Sequence, residues 1–252
     1  MGANPTCVGP SGRLRDTSLP DGSARGEGRV ETSDTFVASF ISYLERRADH
    51  LLELALAHAT VVALALLVAA VLGIGVGVAV RAHERSAEAA LAVAGTFLTV
   101  PSYALIGLLV PALGLGYAPT IVALAMYALL PILRNTLAGL RSVDPAVVEC
   151  ARGLGMGDRE RLLRVELPLA WPVILAGLRV ATVLIVGIAA IAAAVNGPGL
   201  GEDIFVGLAR IGSASALNYV LGGMLGVVVL AILFDAAYAG LARITTSRGI
   251  RG

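Results

Sequence analysis

Arg179 and Asp235 are the two ionisable residues most at odds with their surroundings. Each lies about two helical turns inside an apolar stretch, at matching depth from the same end. An unpaired charge at that depth is costly, so two readings are open: an Arg179–Asp235 ion pair that clamps two helices, or two side chains that snorkel separately to the interface. Neither reading is catalysis, because no acid, base or metal-ligating cluster converges at one depth. His50, His58 and His83 have no ligand spacing with acidic residues, and His58, at the start of an apolar stretch, reads as interfacial. Cys7 and Cys150 suggest neither a metal site nor a disulfide framework. No Gly-rich phosphate loop ending in Lys and Ser or Thr is present. The expectation is a chain with no catalytic residue, no metal and no cofactor.

A second polar group is strung along apolar sequence. Pro101 and Pro131 each lack a backbone donor, and in a membrane the freed carbonyl needs a new partner or a cavity. Thr99, Ser102, Tyr103, Tyr127 and Asn135 lie beside them. These residues either line a translocation path or belong to plain kinks satisfied by neighbouring helices, and their spacing does not choose between the two.

The elements that must position these residues are membrane helices. Apolar residues make up 57% of the chain and charged residues 15%, a balance foreign to soluble domains. All 19 basic residues are Arg, and the net charge of +1 gives no sign of nucleic-acid binding. Stretches of roughly 20 apolar residues, enough to cross a bilayer, run over about 59–80, 89–113 (broken by Pro101), 119–133, 172–195 and 219–241. An all-α, polytopic protein of about five transmembrane helices follows. Residues 1–34 read as a disordered polar tail without a signal peptide, 35–58 as an amphipathic lead-in, 59–243 as the transmembrane unit and 244–252 as a short tail. Arg81, Arg85, Arg134, Arg141, Arg152, Arg159, Arg161, Arg164, Arg243, Arg248 and Arg251 fall on one side, whereas the opposite loops carry only Arg210. That asymmetry places the N-terminus outside and the C-terminus in the cytoplasm.

Between the third and fourth stretches lies DPAVVECARGLGMGDRERLLRVELP, Asp144 to Pro168, a polar helical hairpin. Asp144 caps its first helix with Pro145 at the first position, and Gly155 suits the left-handed end. Asp158 is expected to cap the second helix and Pro168 to stop it before Trp171 enters the interface. Ala146, Val147, Ala151 and Leu154 can present a small apolar surface. Read from these residues alone, the segment is either a docking element or a solvated connector.

This segment resembles the EAA loop of ABC importer permeases, whose pattern is Glu-Ala-Ala, three residues, Gly, nine residues, Ile, one residue, Leu-Pro. The matching positions are Glu149, Cys150, Ala151, Gly155, Val165, Leu167 and Pro168, with Cys150 for Ala and Val165 for Ile as departures. The likeness runs from about Leu52 to Leu241. TVPSYALIG (99–107), YALLPILRNT (127–136), VDPAVVECARGLGM (143–156) and GPGLGEDIF (197–205) resemble the subgroup for glycine betaine, carnitine, choline and proline. The resemblance implies a type I importer permease fold, a cytoplasmic coupling helix in 144–168, and a place in a bacterial inner membrane among its lipids. It also implies partners: ABC ATPase subunits that hydrolyse ATP, a second permease subunit, and an extracytoplasmic solute-binding protein. A permease for methionine or another amino acid, and a channel or scaffold needing no ATPase, are the alternatives.

Two small-residue pairs complete the sequence reading. Gly73 with Gly77, and Gly222 with Gly226, allow close helix approach, either within the chain or to a second subunit. Gly197 to Gly201 forms a turn on the outer side, which either contacts a receptor, gates the path or only turns the chain.

Overall fold

A computed structural model describes residues 27–213 and 215–245, with side chains from Phe36 onward. The described residues are helical and contain no strand. Among the described residues, those up to Ser42 and those from Tyr43 onward form separate units. Helix α1 spans Glu27–Arg46, so residues 27–34, expected in the polar tail, are helical; the remainder of that tail and residues 246–252 lie outside the described residues. Within the first unit, the Phe36 and Phe40 rings stack at 6.4 Å.

The expected lead-in is divided between α1 and helix α2 (Ala48–Val80), which joins residues 48–58 to the first apolar stretch in one rod of 33 residues, about 50 Å long. The second stretch is divided. Helix α3 (Glu84–Thr99) and helix α4 (Ser102–Leu113) meet at 96°. Pro101 is the cause, because it forces Val100 into an extended conformation and caps α4 instead of kinking a continuous helix. Helix α5 (Tyr117–Arg141) carries Pro131 in its interior.

Two short helices, α6 (Pro145–Gly153) and α7 (Asp158–Arg161), make the hairpin. A π-helical turn, Leu162–Glu166, then leads directly into α8 (Leu167–Ile191), which ends in a 3₁₀ turn over Ala192–Val195. Pro168 therefore does not stop the helix. It sits at the second position of α8, just after the wider turn, and the rod is continuous from Asp158 to Val195. Helix α9 (Gly201–Ala209) is short, and α10 (Ala216–Thr245) closes the described chain. Among the described residues, four helical rods are long and apolar enough to cross a membrane, and the bent pair makes a fifth crossing if counted as one span.

Helix α5 is the centre of the bundle, packed between α2 and α8. Small residues set the distances. A Cβ added at Gly73 would lie 2.8 Å from Ile132, and one at Gly77 2.7 Å from Thr136, both on α5. One at Gly177 would lie 2.5 Å from Asn135 Cβ. Gly222 packs on Tyr43 and Gly226 on Leu200, so both small-residue pairs serve contacts within the chain. Val61, Val62, Ala65 and Ala69 of α2, Leu124 and Ile132 of α5, and Ile174 and Ile185 of α8 are fully buried. The outer faces are also apolar: Leu67 and Val71 on α2 and Ile232 and Leu233 on α10 are about two-thirds exposed. An apolar core inside an apolar exterior suits hydrocarbon as the solvent.

Candidate functional site

The hairpin is built by local chemistry at both ends of α6. The Asp144 carboxylate accepts from the Ala146 amide at 2.8 Å, satisfying a donor that the first turn leaves free. At the other end, Met156 N–H donates to Ala151 O and Gly155 N–H to Arg152 O, at 3.2 and 2.9 Å. This double bond pattern requires a left-handed residue, and Gly155 has φ of +82°. Asp158 does not cap α7. It is the first helical residue, and its carboxylate turns to Arg161 at 2.9 Å.

The exposed and buried faces of α6 differ from the sequence expectation in one residue. Ala151 is buried against the body of the protein, so the outward surface is made by Ala146, Val147, Cys150 and Leu154. Val147, Cys150 and Leu154 follow i, i+3, i+7 spacing, and Leu154 is 79% exposed. Glu149 is exposed beside them, and Val165, Leu167 and Pro168 lie on the π turn and the start of α8.

The hairpin is anchored to the bundle by charge. Arg161 is buried, donates from Nε to Glu166 Oε1 at 2.8 Å, and Arg81 at the end of α2 approaches Glu166 Oε2 at 3.7 Å. This link was not legible in the sequence, where Arg161 and Glu166 look like ordinary members of a polar loop. Further along the same rod, Trp171 Nε1 donates to Thr245 Oγ1 at 2.9 Å, tying the start of α8 to the end of α10.

Within the spans, Arg179 and Asp235 meet in a two-pronged contact: Nε donates to Oδ1, and the terminal nitrogen donates to Oδ2 at 2.6 Å. Both side chains remain about half exposed in the isolated chain. The nearby Thr182 and Tyr238 hydroxyls join the same two helices at 2.8 Å.

The suggested path residues separate into two groups. Tyr127 is buried and donates to Val100 O at 2.5 Å, satisfying a carbonyl at the α3–α4 break. Asn135, half-buried, donates to Pro131 O at 2.8 Å. Thr99 and Pro101 are exposed at the bend, Tyr103 is 59% exposed, and Ser102 is intermediate. Thr99 donates back to Thr96 O.

Two features have little sequence signature. His58 is fully buried within the protein: its Nε2 lies 3.1 Å from Val186 O on α8, and Gly199 packs against the ring. The burial comes from α8 and the Gly-rich turn, which pack on this face of α2. At the same end, Asp203 is 1% exposed and gathers three elements. It accepts from Tyr43 at 2.7 Å and from Arg47 at 3.2 Å, while Arg47 also donates to Tyr219 at 2.8 Å and lies over its ring. Burial and the bond to Asp203 push the Tyr43 hydroxyl well above the usual tyrosine range, so it stays a donor. The only hint was the acidic pair that follows the Gly-rich turn. No cluster of three or more His, Cys, Asp or Glu suited to a metal occurs among the described residues.

Residues 69–246 match the family model described as binding-protein-dependent transport system inner membrane component. The choline transport system permease protein OpuBB of Bacillus subtilis is 35% identical over 211 residues, covering 84% of this chain and 95% of that protein. The osmoprotectant import permease protein OsmW of Salmonella typhimurium is 38% identical over 216 residues, covering 84% and 99%. Among solved structures, an inward-facing MetNI methionine ABC transporter chain aligns with a TM-score of 0.67 at 23% identity, covering 78% of this chain and 96% of that one. That likeness is one of fold.

Proposed function

The chain belongs to the family of inner membrane components of binding-protein-dependent transport systems, and we propose that it is the permease subunit of an ABC importer for a compatible solute of the glycine betaine, choline, carnitine or proline class. The observation that carries the solute class is similarity along nearly the whole length of permeases named for osmoprotectants and choline. Methionine is the weaker reading, since the methionine transporter shares the fold at lower identity.

In this reading the permease unit is 59–243, with the N-terminus outside and the C-terminus and 144–168 in the cytoplasm. A partner ATPase receives α6 through the Val147, Cys150 and Leu154 stripe and hydrolyses the ATP. A second permease subunit completes the path, with Thr99, Pro101, Ser102 and Tyr103 at the bend contributing to its wall and Tyr127 and Asn135 holding the bend and the Pro131 turn in shape. A separate receptor delivers solute. Motion of α6 reaches the membrane through a continuous rod, because α7, the π turn and α8 are uninterrupted. To shift the path between outward and inward access, the ATPase contacts of α6 must differ between the two states.

The test is co-purification with the partner ATPase. Covering Leu154 is worth about 1.5–3 kcal/mol, so Leu154→Asp should reduce recovery of ATPase by at least tenfold while permease abundance is unchanged. Full recovery with Leu154→Asp and with a variant lacking the Glu149 side chain would remove the coupling role from α6.

A further inference from the structure

Behind the outward face of α6, between the hairpin and the bundle, lies a cleft of about 400 Å³ bordered by four arginines, Arg81, Arg141, Arg152 and Arg161, and two carboxylates, Asp158 and Glu166. The carboxylates do not neutralise the arginines evenly. Glu166 directs one oxygen at Arg161 and the other at Arg81, and Asp158 is also turned onto Arg161. Arg141 and Arg152 have no ion-pair partner among the described residues, although both border the same space. The cleft therefore holds two more guanidinium groups than carboxylates, arranged around one buried and well-fixed arginine.

We propose that this cleft binds a phosphate-bearing anion at the membrane edge, with Arg141 and Arg152 as its principal contacts. Its depth is the first reason. The cleft sits where α2 ends at Val80 and α5 ends at Arg141, which is the level of lipid headgroups for helices that cross the bilayer. Its chemistry is the second. Planar guanidinium groups with several donors match phosphate oxygens in a two-pronged manner. Leu140 and Val148 add apolar wall, which suits the glycerol and first methylenes of a phospholipid. The inference requires only that the helices span a membrane, and it holds whichever side the hairpin faces. An occupied cleft would brace α6 against the bundle, since its walls come from α6 on one side and from α2 and α5 on the other.

The test uses the assembled transporter in nanodiscs and compares the wild type with the double variant Arg141→Gln/Arg152→Gln. Arg134→Gln, an exposed arginine away from the cleft, is the control. In one arm the discs contain phosphatidylcholine with one-third phosphatidylglycerol, and retained lipid is counted by native mass spectrometry. In the other they contain phosphatidylcholine alone, and labelled inorganic phosphate is measured by equilibrium dialysis. The wild type and the control should retain the anion, with roughly tenfold weaker retention in the double variant. Retention in the first arm alone identifies a lipid headgroup, and retention in both identifies a site open to soluble phosphate; either supports the site. Equal retention by wild type and double variant in both arms overturns it. Loss of the ATPase from the double variant with unchanged anion retention also overturns it, because the arginines would then serve an acidic partner surface. Neither readout depends on solute uptake, so failure here leaves the transport reading separately testable.

Discussion

Arg179 of α8 and Asp235 of α10 face each other, with the Arg179 Nε donating to one carboxylate oxygen and a terminal nitrogen to the other, inside segments long and apolar enough to cross the membrane. Losing either partner leaves a charge with no counter-ion at a depth where water is scarce. Arg179→Gln and Asp235→Asn should each lower the yield of folded permease after detergent extraction. The exchange Arg179→Asp/Asp235→Arg should recover a substantial part of it. Size-exclusion profiles of the three variants check this, and a swapped protein no better folded than the single variants would argue against pairing.

At the opposite end, Asp203 is held by Tyr43 and Arg47. Removing the hydroxyl donor in Tyr43→Phe should cost about 1.5 kcal/mol, the lower end for a hydrogen bond to a charged group. Since folding raises the pKa of this hydroxyl, its contribution is fully present below the unfolded value near 10 and declines as pH rises through the folded value. The stability difference between wild type and Tyr43→Phe should therefore be constant from pH 7 to 9, as measured by thermal unfolding.

Helix crossings in the bundle depend on missing side chains. Gly177→Ala would place a methyl group on Asn135 and near Pro131 O at 3.0 Å. Overpacking of this kind costs about 1–3 kcal/mol. Gly187→Ala, on the same helix with no atom within 4 Å, should change little. Parallel melting curves for the two variants test whether close α5–α8 contact, and not helix propensity, sets the penalty.

The parts of this fold that were legible in the sequence are those announced by long runs or by local rules. Apolar stretches located the spans, Asp144 and Gly155 bracketed α6, the Glu149 to Pro168 spacing led to the family, and the stretches at 99–107, 127–136, 143–156 and 197–205 led to its osmoprotectant subgroup. Features set by what happens next in three dimensions were not legible. Pro101 was visible as a break, but its 96° consequence was not. Pro168 looked like a stop because nothing in one residue reveals that a π turn will carry the helix through it. The burial of His58 was hidden because hydropathy places a residue along a span without showing that Val186 and Gly199 will pack on its ring. The Asp203 clasp joins residues 156 and 160 positions apart, and no spacing rule spans that distance.

The αL turn after α6 offers a separate handle on coupling. Gly155→Val introduces a β-branched residue at φ of +82°, where the backbone is strained although no neighbouring atom lies within 4 Å. Local distortion of the hairpin should depress ATP-driven uptake severalfold while membrane abundance stays near wild type. Equal uptake at equal abundance would show that the turn is dispensable for coupling.

Solute import can be read from uptake of labelled glycine betaine, choline, carnitine and proline in cells lacking this gene, with and without the wild-type chain restored. Loss of uptake of at least one of these solutes, recovered when the wild type returns and abolished when ATP is depleted, is the predicted result. Unchanged uptake of all four, in cells with no second carrier for them, would contradict the osmoprotectant assignment.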